Sequence, residues 1–242
     1  MASCVELPGA EVRLLATKTD VANAAADLIL EASRHAISER GRFRLVLAGG
    51  TTPEAAYRRL AAEDADWGRW EVYHGDERCR PIDHAERNSV AANEALLDHV
   101  PIPAKQVHPI PAERGAEAAA MAYAAVVASA LPFDLVLLGI GEDGHTASLF
   151  PGHPIPEDRL VIPVHDAPKP PPDRVSLTPT ALAQCRRMLI LVTGSGKRDA
   201  LEAWRAGQPL PVARVAARGS ALVLIDRDAA GDSLDSISRD RA

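Results

Sequence analysis

Two hydrophobic patterns alternate along this 242-residue chain. Short runs of consecutive apolar residues, such as FRLVL at 43–47, predict buried strands, and longer stretches with helical spacing, such as 21–40, predict helices. We expect Asp20 to cap the first helix at its N-terminus and Gly41 to end it. Continuous apolar strands indicate a parallel sheet covered on both faces. The predicted fold class is α/β, a three-layer, mainly parallel, doubly wound sheet.

The predicted elements follow one another without a repeat or a linker. Strands are predicted at 43–47, 70–74, 133–139, 160–164, 174–177, 187–194 and 221–226. Helices are predicted at 21–40, 52–63, 86–98, 116–130, 180–184 and 197–206, the second with Thr52 as N-cap and Pro53 as its first residue. We therefore expect a single domain over residues 1–242, with a polar tail after about residue 228.

Composition narrows the class of protein. A net charge of −6 argues against nucleic acid, because neutralising a phosphate backbone requires a basic face. The most apolar window, residues 118–133, is too short and too rich in alanine to span a bilayer. Cys4, Cys79 and Cys185 lie far apart, which fits neither a disulfide framework nor a zinc site. We expect free thiols, a cytoplasmic location and no membrane or nucleic-acid partner.

The stretch GIGEDGHTASLFPGHP, residues 139–154, follows a predicted strand and contains the glycine spacing of a dinucleotide-binding loop. That function requires a full helix after the glycines, which Pro151 and Pro154 prevent, and Asp143 would repel a pyrophosphate. The alternative is a sharp turn that exposes His145 as a general base near neutral pH, oriented by Asp143. A purely structural histidine is the competing interpretation.

Further polar groups follow other predicted strands, where ligands bind in such sheets. AGGTTP at 48–53 joins glycines to a helix N-terminus, which favours an anion. GDER at 75–78, Arg174 and Lys197 each fit a solvated surface when taken alone, but together they indicate a phosphorylated small molecule. A metal site from Asp143, His145 and His153 has no zinc-type spacing, so we predict no metal.

Together these motifs resemble the 6-phosphogluconolactonase family. LAGGTTP, GDER followed by ERNS, DLVLLGIGEDGHTASLFPG, KPPPDRVSLT and VTGSGK occur in the order of that family, from about residue 12 to 225. The resemblance implies a modified Rossmann-like fold that binds no NAD, a phosphosugar lactone as substrate, and hydrolysis without a cofactor. We expect a monomer or a weak homodimer.

The resemblance also implies roles for individual residues. His145 would be the general base, with Asp143 and Asp76 as the other catalytic residues. Either aspartate could orient His145. The residues expected to bind substrate or phosphate are Gly49, Gly50, Thr51, Thr52, Arg78, Arg174 and Lys197. Tyr73 and His74 replace an aromatic pair common in the family, which makes His74 a possible bystander that titrates near neutrality.

Two other functions fit parts of the pattern. A glucosamine-6-phosphate deaminase or isomerase would share the glycine turn and DGH, but tends to differ at GDER and after the histidine. A sugar-phosphate sensor would need a DNA-binding element, and the residues before the first helix leave no room for one. Turnover of glucosamine 6-phosphate, or binding without lactone hydrolysis, would distinguish these alternatives.

Overall fold

Seven parallel strands form the central sheet in the computed structural model, which describes residues 7–235 and only the backbone of 232–235. The strands are β1 Ala10–Leu15, β2 Phe43–Leu47, β3 Trp70–His74, β5 Val107–His108, β6 Phe133–Gly139, β9 Cys185–Val192 and β10 Ala221–Asp226. Their order in the sheet is β1-β10-β9-β6-β2-β3-β5. The predicted α/β fold is confirmed.

Helices cover both faces of this sheet. They are α1 Lys18–Arg40, α2 Thr51–Leu60, α3 Asn88–Ala92, α4 Ala116–Ala130, α5 Pro179–Leu182, α6 Arg198–Arg205, α7 Pro211–Ala216 and α8 Arg227–Asp235, the last kinked at Gly231. Neighbouring residues of each strand enter opposite cores: Leu45 packs with α1 and α2, and Val46 packs with α4. A strand buried on both sides explains the unbroken apolar runs in the sequence.

The helix ends differ from prediction at two N-termini. Thr17 is the N-cap of α1, and Asp20 is its partner three residues on, closing a capping box in which each side chain accepts from the other's backbone N–H. Gly50, which has no capping side chain, precedes α2, so Thr52 is the second helical residue rather than the cap. The C-terminal prediction holds, since Gly41 adopts the left-handed conformation.

The predicted helix at 86–98 is shorter and mixed. It begins at Asn88 as α3 and continues as one π-helical turn over Asn93–Leu97. The elements β1, β5 and α7 were not predicted. β1 is an edge strand with alternating charge, and it pairs with β10 alone. Such a strand lacks the continuous apolar run that identified its neighbours.

A second, three-stranded antiparallel sheet lies apart from the central one. Its order is β4-β8-β7, from Asp76–Arg78, Arg174–Leu177 and Val161–Val164. The GDER segment, predicted as a charged loop, thus forms a short strand, in which Arg78 pairs with Arg174. This pairing places two predicted ligand residues side by side although they are far apart in sequence.

The structure describes only part of the polar tail that was predicted at the C-terminus of the chain. The predicted polar tail begins near residue 228, where the structure has α8 running to Asp235. Residues 236–242 lie outside the described residues.

Candidate active site

A cavity of about 330 Å³ lies at the carboxyl ends of β2, β3 and β6. Parallel strands end at the same edge of a sheet, so the loops that follow them meet there. Seven of the ten predicted site residues line this cavity: Gly49, Gly50, Asp76, Arg78, His145, Arg174 and Lys197. Asp143, Thr51 and Thr52 do not. The structure therefore brings together most of the site inferred from five separate motifs.

His145 lies in this cavity with its ring fixed by Asp143. The Nδ1 atom of His145 is 2.5 Å from Asp143 Oδ1, and the backbone N–H of His145 donates to the same oxygen at 3.1 Å. Phe150 packs on the ring with centroids 4.8 Å apart. Partial burial opposes ionisation, yet these hydrogen bonds hold the pKa of Asp143 below its usual range. Asp143, rather than Asp76, is the aspartate that contacts His145.

Two glycines of the same loop make room for this arrangement. A Cβ atom on Gly141 would lie 2.0 Å from His145 Nδ1, and one on Gly144 would lie 2.7 Å from Leu210. Gly144 also has a φ of +83°, which a side chain disfavours. By contrast, a Cβ on Gly139 meets nothing within 4 Å. The glycine spacing that resembles a dinucleotide loop thus serves the packing of His145 and its loop.

Asp76 is buried in the wall of the cavity, and both of its oxygens have donors. Asn88 Nδ2 donates to Asp76 Oδ1 at 3.0 Å, and Ser148 Oγ donates to Oδ2 at 2.6 Å. We call Asp76, Asn88 and Ser148 the acceptor wall, because a carboxylate held in this way can only accept further hydrogen bonds. Its position is set by three elements: β4, α3 and the His145 loop.

Arg174 is more buried than its predicted role in phosphate binding suggests. Its Nε and Nη2 groups donate to the backbone carbonyls of Lys169, Pro170 and Pro171, and Nη1 lies 3.5 Å from Ser148 Oγ. Burial lowers the pKa of this guanidinium, with Asp76 opposing the shift. Arg174 therefore holds the backbone of the proline loop, residues 166–173, by hydrogen bonds. It also places a positive charge close to the acceptor wall.

Arg78 has a donor left over for a ligand. One terminal nitrogen of its guanidinium donates to the carbonyl of Glu86, while Nε is buried and has no partner among the residues that the structure describes. Buried donors are normally paired. The other terminal nitrogen, Nη2, has no partner among the same residues and is not fully buried, so it is the donor that an anionic or hydroxylated ligand can reach.

Lys169 and Lys197, which we call the cationic rim, also line the cavity. Lys169 is half exposed and forms an ion pair with Glu142 at 3.3 Å. Burial is the main cause that lowers the pKa of Lys197, and Lys169 adds to it, whereas Glu142 and Asp143 oppose it. Two cations at one opening favour a doubly charged group such as a phosphate.

The turn after β2 lines two adjoining cavities. Gly49 and Gly50 line both of them, whereas Thr51 and Thr52 line only the second, of about 270 Å³, which also includes Lys197. Thr51 Oγ1 accepts from Lys18 Nζ at 3.1 Å. Thr52 Oγ1 lies 2.6 Å from the hydroxyl of Thr193. The prediction that all four turn residues meet one ligand stays a prediction.

His74 is fully buried beneath the site. Burial lowers its pKa, although Glu77 and Asp76 nearby act in the opposite direction. Its backbone N–H donates to the hydroxyl of Tyr123 at 2.9 Å. We predicted from the sequence a bystander that titrates near neutrality, whereas the structure indicates a histidine kept neutral by its surroundings.

Sequence reasoning missed three residues of the cavity and its wall: Asn88, Ser148 and Lys169. Asn88 and Ser148 lie inside motifs that were recognised, ERNS and HTASLFPG, but an amide and a hydroxyl are common surface groups and carry no chemical signal of their own. Lys169 could have been found, because it is one of few lysines in an arginine-rich chain.

Neither a metal cluster nor a membrane span is seen in residues 7–235. No three His, Cys, Asp or Glu side chains of this part of the chain are placed to hold a metal ion. His153, considered as a ligand, packs against Phe150 with ring centroids 5.7 Å apart. Within the same residues, no helix has the length and apolar character needed to cross a bilayer.

Fold and cavity together define a class: doubly wound α/β proteins with a polar, cation-bearing ligand site at the carboxyl ends of the parallel strands. Comparison with family models narrows this class. Residues 16–224 match the model described as Glucosamine-6-phosphate isomerases/6-phosphogluconolactonase, and the chain belongs to this family.

Individual relatives agree with the family. A 6-phosphogluconolactonase of Mycobacterium tuberculosis is 42% identical over 214 residues, covering 81% of this chain and 87% of the relative. The crystal structure of a 6-phosphogluconolactonase from Thermotoga maritima matches with a TM-score of 0.82 and 30% identity, covering 89% of this chain and 98% of its own. A monomeric glucosamine-6-phosphate deaminase matches with a TM-score of 0.79 at 24% identity, which shows a shared fold. The resemblance inferred from the motifs is confirmed.

Proposed function

We propose that the protein hydrolyses 6-phospho-D-glucono-1,5-lactone to 6-phosphogluconate, a step of the pentose phosphate pathway. The observation that carries this proposal is the contact between His145 and Asp143 inside a cavity that also holds the acceptor wall and the cationic rim. The named 6-phosphogluconolactonases among the relatives support the same reaction. The deaminase alternative shares the family model and the fold, but the deaminase among the solved structures is only 24% identical.

His145 is the general base of the proposed reaction. With Nδ1–H donating to Asp143, the Nε2 atom carries the lone pair, and it takes a proton from water as the water oxygen bonds to the lactone carbonyl carbon. The tetrahedral intermediate then collapses, the ring C–O bond breaks, and the proton passes from His145 to the departing ring oxygen. Asp143 stabilises the imidazolium between these two steps.

Binding of the phosphate places the lactone against this base. Lys197 and Lys169 supply charge for the phosphate, with the turn at 49–52 beside them. Binding energy at the remote phosphate then fixes the carbonyl near His145, which is how a group that does not react contributes to rate. Arg78 or Arg174 would face the charge that develops on the carbonyl oxygen. These steps use only side chains and water.

A lactonase assay tests the proposal. Purified protein is expected to accelerate lactone opening above the spontaneous rate, and His145→Ala to lose roughly 10²–10⁴-fold of that acceleration, the usual worth of general-base catalysis. His35→Ala, an exposed histidine on α1, is the matched control and should keep the full rate. Binding of 6-phosphogluconate by calorimetry should survive in both variants.

Two results would contradict this proposal. Appreciable release of ammonia from glucosamine 6-phosphate, without lactone hydrolysis, would favour the deaminase. Near-full lactonase activity of His145→Ala would remove His145 as the base while leaving the substrate assignment intact.

We further propose a single domain over residues 1–242, a monomer or weak homodimer in solution, and a cytoplasmic location. The support for a single domain is that α1 and α2 pack on one face and α4 on the other face of one continuous sheet. Sedimentation at several protein concentrations tests the oligomeric state, and a stable tetramer would contradict it.

A further inference from the structure

Asn88 is held in the cavity wall by two separate anchors. At the start of α3, its backbone N–H donates to Glu77 Oε1 at 2.7 Å, and the next N–H, that of Ser89, donates to Glu77 Oε2 at 2.9 Å. Glu77 is completely buried, and the Arg87 guanidinium lies 3.4 Å from it. The carboxylate therefore fixes the backbone of Asn88 without involving its side chain.

The side-chain amide of Asn88 has one favourable orientation. Its Nδ2 group donates both hydrogens to Asp76, one to the backbone carbonyl and one to Oδ1, each at 3.0 Å. A flipped amide would place its oxygen against two acceptors and leave no donor for either. Asp76 thus determines which way the amide oxygen of Asn88 must point.

That oxygen faces Gly49 and the cavity. A Cβ atom on Gly49 would lie 2.1 Å from Asn88 Oδ1, so the oxygen occupies space that only a glycine leaves free. Asn88 lines the cavity and is 6% exposed. Among the described residues no donor reaches Oδ1, and this oxygen is not one of their fully buried unpaired atoms, so a ligand in the cavity can reach it.

The chemistry of this wall matches one kind of ligand group. The oxygens of Asp76 and the Oδ1 of Asn88 are neighbouring acceptors. The cation that reaches this wall, Arg174, donates mainly to backbone carbonyls of the proline loop. Acceptors side by side repel a phosphate or a carboxylate and are complemented by hydroxyl donors. A sugar ring offers such donors at the end away from its phosphate.

We propose that Asn88 contacts the substrate directly, with its Oδ1 accepting a hydrogen bond from one ring hydroxyl of the sugar lactone beside Asp76. This inference rests on the proposed function and extends it, because it assigns recognition of the hydroxyls to a residue outside the catalytic and phosphate-binding set. Asn88 would then determine selectivity for hydroxylated lactones over deoxy analogues.

The test measures kcat/KM for the lactone and for three analogues, each with hydrogen in place of the hydroxyl at C2, C3 or C4. The wild type is expected to discriminate against at least one analogue, because a site built around a hydroxyl is left with unpaired acceptors when it is missing. In Asn88→Ala that one discrimination should fall about tenfold or more, while those at the other positions change little.

Ser148→Ala separates contact from positioning. It removes the other donor to Asp76 and leaves Asn88 in place, so a loosened Asp76 lowers activity on all four lactones. If Asn88 acts only by holding Asp76, both variants should lose the same discrimination. Direct contact predicts that Ser148→Ala keeps the discrimination that Asn88→Ala loses.

Each outcome decides a different point. Circular dichroism and 6-phosphogluconate binding establish that a variant is folded, and Asn88→Ser replaces Asn88→Ala if the latter fails. A wild type that treats all analogues alike, or a discrimination that Asn88→Ala leaves unchanged, overturns the role of Asn88 alone. A wild type without lactonase activity overturns the proposed function and this inference with it.

Discussion

The acceptor wall and the cationic rim of one cavity differ in how firmly the protein holds their side chains. In the wall, Asp76 is 7% exposed and each of its carboxylate oxygens has a protein donor within 3.0 Å. In the rim, the Lys169 side chain is 50% exposed and has one ion pair, with Glu142. The wall is thus rigid before any ligand arrives, whereas the rim has charge but little fixed geometry.

This difference separates two contributions to catalysis. Buried, fully paired groups can act through geometry, because their positions are determined by the fold and the low dielectric strengthens each hydrogen bond. Exposed lysines act through charge, which attracts a phosphate but is screened by solvent and salt. We therefore expect changes in the wall to affect kcat, and changes in the rim to affect KM.

The largest effect is expected in the wall, from Asp76→Asn. If the oxygen of the new amide keeps the bond to Asn88 Nδ2, the N–H₂ group of that amide faces Ser148 Oγ, and the Ser148 hydroxyl hydrogen loses its acceptor in a buried site. A buried mismatch of this kind costs roughly 1–3 kcal/mol, which corresponds to about 5- to 150-fold in rate if it falls on the transition state. Steady-state kinetics should show this loss mainly in kcat. The exposed Asp83→Asn is the control, and an unchanged kcat for Asp76→Asn would remove the distinction between wall and rim.

A smaller and different effect is expected in the rim, from Lys197→Ala. A charge-assisted hydrogen bond to phosphate contributes about 1.5–3 kcal/mol, and partial exposure puts the expected loss near the lower value. KM should therefore rise about tenfold, with a smaller change in kcat. Lys105→Ala, a lysine outside the cavity, should leave both constants unchanged. A loss confined to kcat would place Lys197 with the wall instead.

The smallest effect concerns the support of the proline loop, which carries Lys169. His165 contacts Asp173 at 2.7 Å and Glu117 at 2.8 Å, and the hydrogen bond to Asp173 is the main cause that raises the pKa of His165 above its usual value. A raised pKa in the folded state gives stability that is complete below the unfolded pKa and lost as the pH rises through the folded pKa. His165→Gln should therefore lower the unfolding free energy by about 0.2–1 kcal/mol near pH 5.5 and by almost nothing near pH 9.

Urea unfolding at the two pH values measures this difference. The control is His99→Gln, because the described structure gives His99 a backbone carbonyl as partner rather than a carboxylate. An equal loss for His165→Gln at both pH values would show that the side chain acts by packing and not by its charge.

Two residues of the acceptor wall were harder to predict from the sequence than Lys197 of the cationic rim or His145. Lys197 was found because a rare lysine in a glycine-rich turn is a local signal, and His145 because Asp143 lies two residues away. Asn88 and Ser148 join Asp76 from other parts of the chain, across 12 and 72 residues. Their role depends on tertiary contacts that a linear pattern does not contain.

The same limit applies to the fold. Strands of the central sheet were predicted because burial on both faces makes their residues continuously apolar, as in Phe133–Gly139. In the small sheet β7 and β8 were also predicted, but β4 was not, because the three charged residues Asp76–Arg78 become a strand only when Arg174–Leu177 lies beside them. Thr52 was misjudged as a cap because its hydroxyl bonds to Thr193 across the sheet edge rather than to its own helix.

The three glycines Gly139, Gly141 and Gly144 differ in how well each would tolerate substitution by a residue with a side chain. An alanine at Gly139 would meet no protein atom within 4 Å, whereas Gly141 is closed by the ring of His145. A search keyed to the three-glycine spacing would therefore lose some relatives with an intact site and retain unrelated nucleotide-binding proteins. The single glycine at 141, taken together with the histidine four residues later, is the more informative signature.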